Sequence, residues 1–369
     1  SKNNTVKIVN YQTYNGDENL NIEDYLQTKT KETKTILQTE LLEKVMNWKF
    51  FTNSDTENLF CQKYFENSQS TEIYYNHELS KENFGKKFYF DRGLKYPKDK
   101  ITNRIDSGKW DKFLYIPKIQ KHKIETQITE YRIAKSLLNL PHGSQGMKVY
   151  EKKYKILWKY MNYDKFRFSG NQIMIDYNNV LISSDCKSEM LYLLAILNSK
   201  ISSKLLNLYL HIENEQDLTV GIKSIKQYIR VPKITEKNKH IKELIIKQIE
   251  YLLIKVEGRT LDNLVNFKDM MIQRFDKVEV VGKNLVVTFN NTDYKLPIKE
   301  KADFVKNLIA EKYYDNGLIF NREGVTLQEL KNLEAIDFDE QAKLKTEIDD
   351  LVFELYFGTE NETFKNILA

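Results

Sequence analysis

Hydrophobic and polar positions alternate in short runs through the first half of the chain and recur at helical spacing in the second. Thr5, Val6, Lys7, Ile8 and Val9 alternate, which predicts a strand. Residues 36–51 suit a short helix running into an aromatic strand around Trp48, Phe50 and Phe51. Residues 87–93 predict a strand that stops at Gly93, and 113–117 another stopped by Pro117, which cannot donate to a ladder. The cluster from Asn139 through Pro141, Gly143 and Gly146 predicts a loop. Residues 155–160 predict a strand with Ile156, Trp158 and Tyr160 on a core face and Lys155, Leu157 and Lys159 on the other, and 166–168 repeats the theme. Residues 172–176 and 179–182 read as paired strands around a turn at Tyr177 and Asn178.

Beyond residue 188 the period changes. Leu191, Leu194, Ala195, Leu197, Ile201, Leu205 and Leu208 predict one apolar helix over 189–209. Residues 228–232 predict a strand closed by Pro232. Ile241, Leu244, Ile245, Ile249, Leu252 and Val256 predict a long helix over 236–257 with Gly258 as its C-cap. Its apolar stripe suits packing against another helix. A hairpin is expected over 275–289 around Gly282, Lys283 and Asn284, then helices over 302–311 and 327–355. The expected fold class is α+β: a mixed strand and helix domain over 1–235, a spacer helix over 236–257, and a small, mainly helical module with one hairpin over 258–369.

Composition narrows the function. With 41% hydrophobic and 12% aromatic residues the chain can build a core. It has no run of about 18 apolar residues, so no membrane span is expected. Two distant cysteines, Cys61 and Cys186, argue against a disulfide scaffold and fit a reducing cytoplasm. The sequence opens on Ser1 without an initiator Met, as expected of a part of a longer protein. The net charge of +5 conceals a strong asymmetry, because residues 81–167 carry 22 Lys and Arg against 9 Asp and Glu. The segments 1–80 and 231–369 are each net acidic, so genome-wide lysine enrichment does not account for the basic block. Such a block is the electrostatic footprint of a phosphate-binding surface.

Within that block, lysines would hold phosphates: Lys86, Lys87, Lys118, Lys121, Lys152 and Lys153 are the candidates. Arg92, Gln120, His122 and Arg167 stand near turns and could reach base edges. The loop residues Asn139, His142, Ser144 and Gln145 are a second set.

Three stretches carry a family resemblance. Residues 190–200 (MLYLLAILNSK) are followed by 225–232 (IKQYIRVP), residues 108–132 form a looser match, and 348–358 (IDDLVFELYFG) ends the pattern with Phe357 inserted before Gly358. Together they resemble the target-recognition region of TaqI-like and Eco57I-like bacterial adenine-N6 DNA methyltransferases and fused type IIG restriction–modification enzymes. The resemblance covers about residues 85–360 and implies double-stranded DNA as partner, with a catalytic domain of the same protein lying N-terminal to this chain. It also implies that S-adenosylmethionine and any Mg²⁺ bind that other part. Asn198 and Ser199, inside the first motif, are expected to cap or pack.

The chain itself lacks the chemistry of either reaction. It has no Pro-Pro pair, which the methyltransferase loop that grips a flipped adenine needs. Glu-x-Lys triplets at Glu32, Glu151 and Glu329 are expected by chance in a chain this rich in Glu and Lys, with Asp24, Glu32 and Lys34 the least poor metal-nuclease candidate, and no histidine pair has metal-ligand spacing. The expected role is sequence recognition without catalysis in this chain. A protein–protein or scaffold module of a defence complex is the rival class.

Overall fold

The structure, a computed structural model, describes residues 5–11, 30–37, 55–71, 74, 88–95, 111–115, 123, 129–133, 139–161, 165–170, 174–210, 219–268, 270–315, 318–319, 324–359 and 361–368. The fold is α+β, as the sequence pattern predicts, with several small sheets among helices.

Two antiparallel hairpins stand early in the chain: β1 (Thr5–Tyr11) with β2 (Thr30–Leu37), and β5 (Asp111–Tyr115) with β6 (Thr129–Ile133). Ile36 and Leu37 close β2 instead of opening a helix, because β1 supplies their ladder partners Val6 and Thr5. The rest of 36–51 lies outside the described residues. Helix α1 (Asp55–Glu66) leads into β3 (Ser68–Ser70), which pairs with β10 (Arg230–Pro232).

The central sheet is wholly antiparallel, in the order β4 (Tyr89–Arg92), β9 (Asn179–Ser184), β7 (Tyr154–Lys159), β8 (Arg167–Ser169). Strand β9 is paired on both sides, so 174–176 cannot lie beside it. Asp176 bridges Leu94 instead, which corrects the predicted hairpin. Both faces of β7 are covered. Ile156 and Trp158 enter the main core, where the Trp158 indole N–H donates to the Val220 carbonyl at 2.8 Å. Leu157 enters a smaller cluster with Tyr89, Leu94, Val149, Tyr150, Ile175 and Leu181, roofed by the short helix α2 (Lys148–Glu151).

Against the sheet packs α3 (Lys187–Asn198), fully apolar from Met190 to Leu197, followed by α4 (Lys200–Leu210). The single helix predicted over 189–209 is broken at Ser199, whose ψ of 154° is extended. The Ser199 and Ser202 hydroxyls both donate to the Ile196 carbonyl, offering the backbone an alternative to the helical ladder. A short helix α5 (Ile222–Tyr228) precedes β10.

The long predicted helix exists as α6 (Lys239–Tyr251), continued by a π-helical turn (Leu252–Glu257). Gly258 ends it at φ −86°, outside the left-handed region, so it is no left-handed cap. A Cβ there would stand 2.9 Å from the Leu253 carbonyl oxygen; the close turn needs the missing side chain.

A second core follows, built on β11 (Lys277–Val281), β12 (Asn284–Phe289) and β13 (Thr292–Pro297). The expected hairpin is therefore a three-stranded meander. Asn290 and Asn291, both at positive φ, make the second turn, a two-residue connection that the sequence reading missed. Here, α7 (Leu261–Leu264), α8 (Ala302–Tyr313) and α9 (Leu327–Asn332) close this core. The predicted tail helix over 327–355 is two helices, because Thr326 and Asp337 each cap a new one. The second, α10 (Phe338–Phe357), leaves the second core. Its Leu344, Ile348, Val352, Phe353 and Tyr356 pack into the main core with α6 and α3, as does Phe364 of α11 (Glu362–Leu368). Packing thus cuts across the unit expected over 258–369, and the helix expected as a spacer is a core element.

Candidate nucleic-acid interface

Arg92 ends the outer strand β4, and the chain leaves that strand through Gly93. A Cβ on Gly93 would lie 1.7 Å from the Asp176 carbonyl oxygen, so a glycine is required for this approach. The Gly93 N–H donates to Asn179 O at 2.9 Å and the Leu94 N–H to Ile175 O at 2.7 Å. Held this way, the half-buried Arg92 guanidinium lies 4.0 Å from the ring centre of Tyr160 and 4.4 Å from that of Tyr177. It donates to the Tyr177 hydroxyl at 3.1 Å. Its Nε is buried and meets no hydrogen-bond partner among the described residues. The Lys95 ammonium lies 4.5 Å from the same Tyr177 ring.

The 139–147 loop is fastened to this strand. The Asp91 carboxylate accepts from the Ser144 hydroxyl at 2.7 Å and from the Gln145 backbone N–H at 3.0 Å. Lys95 and Asn139 exchange two backbone bonds of 3.0 and 2.8 Å. The Tyr150 hydroxyl donates to the Arg92 carbonyl; burial and the nearby Asp91 charge hold it well above the usual phenol range. Asn139, His142 and Gln145 stay exposed around Arg92's strand, while Ser144 is committed to Asp91.

The other end of the sheet carries lysines. Lys148 and Lys153 are exposed, and Lys152 pairs with Asp185 at 2.5 Å. The Lys148 and Lys152 ammoniums stand 5.5 and 5.7 Å from the Tyr89 ring. Lys155, expected on an open face, is 0% exposed and donates to the Lys152 carbonyl. Burial lowers its pKa to about 7, against the opposing pull of Asp185.

The structure therefore separates the candidates. Arg92 stands at one end of the sheet, with Lys152 and Lys153 at the other. Arg167 is only 4% exposed, with its guanidinium donating to the Lys165 carbonyl at 3.5 Å, a position inside the protein and not at an open turn. Gln120, His122, Lys86, Lys87, Lys118 and Lys121 lie outside the described residues. Lys123, their neighbour in sequence, is buried and paired with Glu334 at 2.6 Å. The sequence reading missed Tyr160 and Tyr177, assigning the first to the core and the second to a turn. It also missed Asp91, whose anchoring role only the folded contacts reveal.

Among the described residues no group of three or more His, Cys, Asp or Glu side chains could hold a metal. Glu329 lies in helix α9 and spends its carboxylate on the Thr326 cap. No described helix is long and apolar enough to cross a membrane. Cys61 and Cys186 are both buried, and neither forms a disulfide among the described residues.

The chain matches no protein-family model and no curated protein. Solved structures similar to it at a low level include two from restriction systems. One is the type IIG restriction endonuclease BpuSI, at 12% identity and a TM-score of 0.31, over 90% of this chain and 36% of that one. The other is the HsdS subunit from Thermoanaerobacter tengcongensis, at 9% identity and a TM-score of 0.25, over 76% of this chain and 93% of that one. The chain thus spans about a third of the length of BpuSI.

Proposed function

We propose that this chain is a duplex-DNA recognition module of a restriction–modification protein, of the adenine-N6 methyltransferase or type IIG kind. The observation that carries the reading is the confinement of the positive excess to residues 81–167, with 22 basic against 9 acidic side chains. Lys95, Lys148, Lys153 and Lys159 are exposed in the described part of that block and serve as phosphate contacts. Arg92 is the base reader. Two tyrosine rings flank its planar fork, and such a fork matches guanine O6 and N7 in the major groove. Asn139, His142 and Gln145 flank it. Catalysis, S-adenosylmethionine and Mg²⁺ belong in this reading to another part of a longer protein.

Fluorescence anisotropy with a labelled duplex tests the proposal. Binding at 50 mM salt that weakens by several decades at 200 mM is expected for six to ten phosphate contacts, about three to five decades in all. Absence of binding at low salt overturns it.

A further inference from the structure

Strand β4 is an outer strand of the central sheet, so part of its backbone has no neighbouring strand to bond. Side chains take those places. The Phe90 carbonyl accepts from the Gln145 side-chain amide at 3.4 Å, and the Arg92 carbonyl from the Tyr150 hydroxyl. The Arg92 N–H donates to the Asp91 carboxylate at 2.8 Å.

That carboxylate is buried and uses both of its oxygens. Oδ1 holds the Arg92 backbone, while Oδ2 accepts from the Ser144 hydroxyl and from the Gln145 backbone N–H. The Ser144 hydroxyl in turn accepts from the Gly146 N–H at 3.1 Å. Burying a carboxylate without donors is costly, so these bonds keep Arg92 and the loop at one spacing.

Gln145 stands exposed on this anchor. Its backbone is fixed at Asp91 and one of its amide hydrogens at Phe90, two residues before Arg92 on the same strand. The other amide hydrogen and Oε1 meet no partner among the described residues. Side by side, one donor and one acceptor of a carboxamide match N7 and the N6 amine of adenine in the major groove.

We infer that Gln145 is a second base reader, selective for adenine, and that the Ser144–Asp91 bond holds it in register with Arg92. Ser144 and Asp91 are then positioning residues for sequence preference. The inference rests on the DNA-recognition reading for the partner, and on the bonds to Asp91 for the register.

The test is site selection from a randomised duplex library with this chain and three variants. In Gln145→Ala, discrimination for adenine at one base pair is expected to fall about tenfold, the weight of one good bidentate contact, while the other positions keep their preference. Ser144→Ala removes a tether and no reader, yet should lose the same position. Ser144→Thr keeps the hydroxyl and should retain it. An unaltered site in Gln145→Ala, a loss at a base other than adenine, or a loss spread evenly over the site overturns the reader. An unaltered site in Ser144→Ala, or a loss that Ser144→Thr shares, overturns the positioning role. Amide hydrogen exchange follows the tether without DNA: the Gln145 N–H should exchange slowly in the natural chain and in Ser144→Thr, and faster in Ser144→Ala. Equal rates overturn the tether. If the natural chain binds no duplex at low salt, the recognition reading falls and the reader with it. If it binds duplex with no preferred site, the phosphate-binding part of that reading stands and the reader falls alone.

Discussion

Asn198 holds Phe166 by both of its backbone polar groups. Its Oδ1 accepts from the Phe166 N–H at 3.1 Å, and its Nδ2 donates to the Phe166 carbonyl at 3.0 Å and to Leu194 O at 3.2 Å. The last residue of α3 thereby stitches the entry of β8 to the helix, and both amide hydrogens are spent inside the fold. Asn198→Asp keeps the acceptor but loses both donated bonds and sets a carboxylate against the Phe166 carbonyl. A loss of about 2–3 kcal/mol is expected in chemical denaturation. A loss within about 0.5 kcal/mol would contradict the stitch.

Gly93→Ala must push β4 away from Asp176, since its Cβ would coincide with the carbonyl there. The expected cost is about 2–4 kcal/mol of stability. Arg92 should leave its two rings, so duplex affinity measured on the folded variant falls as well. An alanine variant with native stability would show that the backbone yields here.

Lys155 makes stability depend on pH. Its ammonium loses its proton at about 7 in the folded chain because of burial, against about 10.4 in an unfolded one. Between these values the unfolded chain binds more protons, so stability rises with pH, by at most about 1.4 kcal/mol per unit. Lys155→Met should flatten that rise and be more stable than the natural chain at pH 7. Urea titrations at pH 7, 8 and 9 decide it; parallel curves for the two proteins would refute it.

Grip and readout should separate. Lys148→Ala with Lys153→Ala is expected to weaken every duplex about equally and to reduce the salt slope by about 2. Arg92→Lys keeps the charge but loses the planar fork, so it should relax sequence preference more than it lowers overall affinity. Equal losses for all sequences in both variants would move readout away from Arg92.

Local chemistry carries much of this fold. Strands β4 and β7 and helices α6 and α8 follow from alternation or period alone, because each buries a continuous face. The breaks do not. Ser199 and Leu333 interrupt runs whose apolar spacing continues across them, since hydroxyl-to-carbonyl bonds and backbone bonds to 259–261 outcompete the helix there. Hydrophobic period reports what is buried and is blind to which core buries it, so α10 read as the tail of the second module. Sites fared similarly. Charge marked the basic block, and within it Arg92, Arg167 and Lys155 looked equally open in sequence. Only the folded covering of the β7 and β8 faces distinguishes them.

The return of α10 to the main core has a consequence for synthesis on the ribosome. Everything the second core needs lies between residues 261 and 335, so it is complete as soon as that stretch has emerged. The main core begins first but waits for Ile348, Val352 and Tyr356, and until they arrive the groove between α3 and α6 stays open. Domains usually mature in the order they are translated. Here the inserted one finishes first, and the outer one closes on a helix translated after it.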